Sequence, residues 1–201
     1  MASPSPYGRR RPAPVGALLT PGAGADRSQP ALVALDEALS ADGLVVERMD
    51  FPYRLAGRKA PDRPQVLVSA VADGAAALAG RLGVTLDRLV LGGRSMGGRM
   101  CSMAVADGLR AAGLILVSYP LHPPGSPDRL RTEHFPALTL PCLFVSGTRD
   151  AFGTPSELEA ATAAIPGPVT HVWIEGGDHG LRGKDSQVTA AVRTWLGVAG
   201  G

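Results

Sequence analysis

The sequence predicts an α/β chain: a mostly parallel sheet of about six or seven strands with helices on both faces and no large cap domain. Three observations predict it. Short apolar segments alternate with segments of helical periodicity from residue 16 to the end. Runs such as Gly113-Leu114-Ile115-Leu116-Val117 are apolar without alternation, as strands covered on both faces are. Residues able to do chemistry fall just after predicted strands, where the loops of open α/β sheets carry their sites.

Taken in order, residues 16–20 read as a short buried strand, followed by a tight Pro21-Gly22-Ala23-Gly24 loop. Asp26 with Gln29 three residues on resembles a capping box, and a helix is expected over residues 27–40 with Leu32, Leu35 and Leu39 on one face. Asp42-Gly43 stops it, and residues 44–51 form the second strand. Residues 52–63, proline-rich and basic, read as a loop. A helix over residues 64–82 places Val66, Val71, Ala75, Leu78 and Leu82 inward. Strand 88–92 and helix 96–112 follow, then strand 113–119, an irregular proline-broken segment to 141 and strand 142–147. A helix over 155–164 starts on Pro155, strand 169–175 is the last, and helix 185–196 closes the chain.

The 201 residues suit one domain over residues 15–201, behind a Pro/Arg/Ser-rich tail over residues 1–14 that is expected to be disordered. Arg9-Arg10-Arg11 ahead of Val15 to Leu19 faintly imitates an export signal, but Pro12, Pro14 and Pro21 break the apolar stretch. A cytoplasmic location is therefore expected, and no run is expected to span a membrane. A composition of 45% hydrophobic and 19% charged residues is globular. The net charge is +2, and the only dense basic cluster sits in the tail, which argues against nucleic acid as a partner. Cys101 and Cys142 lack metal-ligand spacing and read as buried small hydrophobes in a reducing compartment. No metal or cofactor is expected, since Gly22-Ala23-Gly24 lacks the Lys-Ser/Thr of a phosphate loop. The oligomeric state leaves no mark.

The chemistry concentrates on Gly93-Arg94-Ser95-Met96-Gly97, a Gly-x-Ser-x-Gly frame between a strand and a helix. That context suits a sharp turn exposing the serine hydroxyl at a helix N-terminus. Asp150 follows the fifth predicted strand and His179 the sixth. A serine hydroxyl needs a base, His179 can take and return its proton, and Asp150 can fix the imidazole tautomer. Asp178 adjoins His179 and reads as a turn residue, and His171 within a strand reads as structural. An oxyanion hole would use the backbone N–H of Met96 and one from the loop after the first strand, where Ala23 is the first choice and Gly24 the second.

With the order Ser, Asp, His, the chain resembles small single-domain α/β-hydrolases of the dienelactone-hydrolase-like group. More narrowly, it is similar to the bacterial branch related to a testis-expressed protein and a chromatin-complex subunit. The resemblance rests on Leu19 to Gly24, Gly92 to Arg99, Tyr119 to Gly125, Arg131 to His134, Gly147 to Gly153 and Gly177-Asp178-His179. It implies Ser95, Asp150 and His179 as a catalytic triad, with physiological substrates poorly defined and some relatives serving as complex subunits. Two departures stand out. Pro21 occupies the position where such hydrolases commonly carry His before the oxyanion-loop glycine, and the nucleophile is Ser95 rather than the Cys of dienelactone hydrolase itself.

The leading expectation is a serine hydrolase that cleaves small or exposed carboxylic esters through an acyl-enzyme on Ser95, its partner a small-molecule ester. Residues 120–141 suffice for a flap and not for a lid domain. Two alternatives remain open: a non-catalytic interaction module, and an acyltransferase or perhydrolase using the same triad. Arg94, Arg99 and His122 are candidate substrate contacts, since guanidinium matches carboxylate bidentately. A structural ion pair with Asp50 or Glu133 accounts for the arginines equally simply and is the preferred reading at this level.

Overall fold

The computed structural model describes residues 13–198. Residues 1–12 of the tail expected to be disordered, Arg9-Arg10-Arg11 included, lie outside the described residues. The elements run β1 (Gly16–Thr20), α1 (Pro30–Ala41), β2 (Val45–Arg48), α2 (Pro52–Leu55), α3 (Pro64–Leu82), β3 (Leu89–Arg94), α4 (Met96–Ala106), β4 (Gly113–Val117), β5 (Cys142–Gly147), α5 (Pro155–Thr162), β6 (Val169–Ile174) and α6 (Asp185–Leu196). The six strands form one sheet in the order β2-β1-β3-β4-β5-β6, and every pairing is parallel.

Strand periodicity divides the core into two layers. Leu18, Leu89, Leu91, Leu114, Leu116 and Phe144 pack on one face with α3 and α4 residues such as Val71, Leu78, Met100 and Ala104. Their neighbours Ala17, Leu19, Val90, Ile115, Val117 and Val145 pack on the other face with Leu32, Leu35 and Leu39 of α1 and Val188, Val192 and Leu196 of α6. Both sheet faces are thus covered, which explains why the central strands read as unbroken apolar runs. The order reverses at β1: the chain steps outward to β2, then returns to place β3 on the other side. Crevices beyond the carboxyl ends of strands open at such a switch point. Here they bring the loop after β1 beside the loop after β3.

Several boundaries differ from the periodicity reading. α1 begins at Pro30 rather than residue 27, because a residue preceding proline is driven out of the helical region, and Gln29 is extended at ψ 126°. The expected Asp26–Gln29 capping box does not form. Asp26 Oδ1 accepts from the Ser28 N–H, and Gln29 Oε1 accepts from the Gly22 N–H at 3.0 Å. The segment after β2 holds the short helix α2 instead of continuous loop. α4 ends at Ala106, six residues early, where Gly108 turns at φ 104°. In α3, Leu67 rather than Val66 leads the buried stripe, and Val66 is exposed. α3 is 19 residues long and passes the length and composition test for a membrane span, an 18-residue window of it having a mean hydropathy of 1.2. Its stripe of Leu67, Val71, Ala75 and Leu78 is nonetheless packed into the core.

Candidate active site

Gly-x-Ser-x-Gly has a direct steric explanation. Ser95 sits at φ 52° and ψ −118°, a strained conformation between β3 and α4. The turn is held by the Ser95 N–H donating to Val117 O at 2.8 Å. A Cβ on Gly93 would lie 2.2 Å from Thr20 Oγ1, and one on Gly97 would lie 2.4 Å from Thr20 O and 2.6 Å from Pro21 O. Both glycines therefore exist so that the end of β1 can press against the turn. Thr20 Oγ1 donates to Gly92 O at 3.0 Å, tying the two strand ends together.

The loops after β5 and β6 converge on the same point. The Arg149 N–H donates to Gly177 O at 2.8 Å, joining them. Ser95 Oγ lies 2.9 Å from His179 Nε2, and His179 Nδ1 lies 3.0 and 2.9 Å from the two oxygens of Asp150. Asp150 is buried and also accepts from the Phe152 N–H at 2.8 Å. A carboxylate only accepts, so Nδ1 carries the imidazole proton toward Asp150, leaving Nε2 as the acceptor for the serine hydroxyl. Phe152 stacks on the imidazole with ring centroids 3.9 Å apart, restraining it from the other side.

The β1 loop presents a donor by elimination. Pro21 has no N–H, the Gly22 N–H is taken by Gln29, and the Gly24 N–H donates to Tyr53 Oη at 3.1 Å. The N–H of Ala23 has no acceptor among the described residues. That of Met96, at N1 of α4, is free of the intrahelical ladder. Gly24, the second choice, has its donor engaged elsewhere.

Ser95, His179, Ala23 and Met96 line one cleft of about 430 Å³. Arg94, Arg99, Arg131 and Phe152 share its wall. Arg94 donates to the backbone carbonyl of His179, clamping the histidine loop to the turn. Burial holds its guanidinium below the usual pKa, with Asp150, Asp178 and Asp185 opposing that shift. The ion pairs expected for the arginines do not form: Asp50 pairs with Arg27 at 2.7 Å, and no carboxylate lies within pairing distance of Arg94 or Arg99 among the described residues. His122 does not reach the cleft. It is buried, with Nδ1 2.8 Å from Pro123 O and Nε2 3.6 Å from Glu157. Asp178 accepts from the N–H groups of Gly180 and Leu181, as a turn residue does. His171 lies against Thr162, Trp173 and Phe144.

Arg131 and Phe152 were not singled out by the sequence reading. Phe152 carries a weak signal, two residues beyond Asp150. Arg131 lies in the segment Arg131 to His134 that carries the family resemblance, but the irregular stretch between β4 and β5 has no periodicity from which to read a facing side chain.

A family model described as an alpha/beta hydrolase domain matches residues 14–196. Among solved structures, the chain is similar to an alpha-beta serine hydrolase homologue from Coxiella burnetii at 21% identity, covering 90% of this chain and 88% of that one with a TM-score of 0.74. It is similar to dienelactone hydrolase from Anabaena variabilis at 19% identity, covering 92% and 86% with a TM-score of 0.73. It is also similar to a thermophilic esterase from Thermogutta terrifontis at 25% identity, covering 94% and 92% with a TM-score of 0.70.

Proposed function

This chain belongs to the alpha/beta hydrolase domain family, and from that premise we propose that it is a serine hydrolase of small or exposed carboxylic esters, with Ser95, His179 and Asp150 as its triad. The observation that carries the reading is the hydrogen-bonded line from Ser95 through His179 to Asp150, beside the unengaged N–H groups of Ala23 and Met96.

In the proposed mechanism Ser95 Oγ attacks the ester carbonyl carbon as its proton passes to His179 Nε2. Asp150 stabilises the imidazolium through Nδ1–H. The carbonyl π electrons move to oxygen, and the N–H groups of Ala23 and Met96 receive the oxyanion. Collapse breaks the C–O bond to the alcohol, which leaves with the proton from His179. Water then attacks the acyl-enzyme with His179 as base, releasing the acid and restoring the serine. Asp150 needs no proton of its own in either half.

The acyl preference follows from the roof. Between β4 and β5 the described chain has only one short 3-10 turn, residues 135–137, so the cleft is covered by loop and suits short acyl groups. The two cysteines are unpaired and buried, which is compatible with a reducing cytoplasm as the site of action. Membership of the branch that includes complex subunits would instead favour a non-catalytic module, and an acyl acceptor other than water would make the same site a transferase or perhydrolase.

A fluorophosphonate probe together with short p-nitrophenyl esters tests the reading. Labelling and turnover by the wild type, both lost in Ser95→Ala, are expected. No labelling and no turnover in either protein would sink it in favour of the module.

A further inference from the structure

We propose that Arg99 and Arg131 form an anion-binding subsite beside Ser95, so that the preferred substrates are short esters carrying a free carboxylate. This rests on the hydrolase reading for its chemistry, but the subsite itself stands on separate observations. Both residues line the cleft that holds Ser95. Neither has a carboxylate within ion-pairing distance among the described residues. Arg99 Nε is buried without a hydrogen-bond partner. Among the described residues the Arg131 guanidinium has only the carbonyl of Pro120, at 3.4 Å from Nη1.

Arg131 is placed there by the fold. Its N–H donates to Leu121 O at 2.9 Å, and its carbonyl accepts from Tyr119 Oη at 2.7 Å. Tyr119 is itself buried against Phe135 and Phe144, so the arginine is carried on an anchored segment. Burial chiefly, and then the nearby charge of Arg99, pushes the Arg131 guanidinium below its usual pKa. Arg94 differs from this pair, since the charges of Asp150, Asp178 and Asp185 act on it and its Nη2 serves the His179 carbonyl. Two half-buried cations without a counter-ion cost free energy unless an anion completes them. A carboxylate is the anion whose geometry a guanidinium fork meets bidentately, and an ester substrate can carry one.

The test compares anionic and neutral esters in matched pairs. The mono-p-nitrophenyl ester of adipic acid against its methyl ester places the carboxylate on the acyl side. p-Acetoxybenzoate against methyl p-acetoxybenzoate places it on the alcohol side. In the wild type, one anionic member is expected to exceed its neutral counterpart in kcat/KM by about tenfold or more. That ratio should fall toward unity in both Arg99→Gln and Arg131→Gln, and in the wild type as salt is raised. The pair that responds locates the carboxylate. No anionic preference in either pair, or a preference that both variants retain, overturns the subsite. Thermal unfolding of each variant confirms that it is folded. If the fluorophosphonate probe does not label Ser95, the hydrolase reading fails separately. Calorimetric binding of adipate that is lost in both variants would still uphold the anion site, and absence of binding to the wild type would overturn it.

Discussion

Gly97→Ala isolates the contact on which the geometry of the proposed active site depends. The added methyl would sit 2.4 Å from Thr20 O and 2.6 Å from Pro21 O, while ordinary van der Waals contact begins at 3.4 Å. Both obstacles are backbone atoms, so no flexible side chain can give way. The end of β1 would have to retreat by about 1 Å, and overpacking of this kind costs roughly 1–3 kcal/mol. The retreat also displaces the loop that presents the Ala23 N–H, and a misplacement of about 1 Å at a reacting centre can cost on the order of 10² in rate. Gly80→Ala is the matched control. Gly80 lies inside α3 with nothing within 4 Å of its added Cβ. Removing a helix-interior glycine should stabilise by about 0.5–1 kcal/mol. Denaturant unfolding and p-nitrophenyl acetate turnover are measured for both. A Gly97→Ala protein with wild-type stability and turnover would refute the argument that β1 and the serine turn are in obligatory contact.

Ser95→Ala and His179→Ala should lower kcat by similar large factors, and the double variant should be scarcely worse, because such residues act as a unit. Asp150→Asn should leave the fold intact and reduce kcat by about 10⁴, read at saturating ester, by removing the acceptor that sets the imidazole tautomer. Tyr53→Phe strips the acceptor from the Gly24 N–H and should cost roughly 1 kcal/mol or more in unfolding, with Ala23 displaced less than in Gly97→Ala. His134 is pushed down to about 4, first by burial and then by the charge of Arg99, and its Nε2 lies 2.8 Å from Ser102 Oγ. With the folded value below the unfolded one, the unfolded state binds more protons between these values. The contribution of His134 is therefore full above about pH 6.5 and lost as pH falls toward 4. Comparing stability against pH for the wild type and His134→Gln should show the wild type losing more over that window.

Different parts of the molecule were legible to different degrees, for physical reasons. Helix α6 and strand β5 carry the bounds their periodicity predicts, because each is a simple amphipathic or apolar run ended by glycine. The start of α1 was misplaced because Asp26 and Gln29 match a capping pattern while Pro30 overrides it locally. The capping box that does form, Thr154 with Glu157 at the head of α5, was equally visible in the residues and went unremarked. Phe152, stacked on His179, has a neighbour only in space. The pairing of Asp50 with Arg27 rather than with Arg94 or Arg99 is likewise a matter of which loops meet.

By itself the sequence determined the α/β class, the strand-turn-helix around Ser95 and the order in which Ser95, Asp150 and His179 arrive, because propensity, periodicity and turn chemistry act over a few neighbouring residues. The tertiary structure alone decided the strand order β2-β1-β3-β4-β5-β6, the 2.9 Å contact between Ser95 and His179, the engagement of the Gly24 N–H by Tyr53, and the gathering of Arg99 and Arg131 in one cleft. Those depend on parallel crossovers and on a proline-broken segment folding back over the sheet, contacts between residues far apart in the chain that no local pattern encodes.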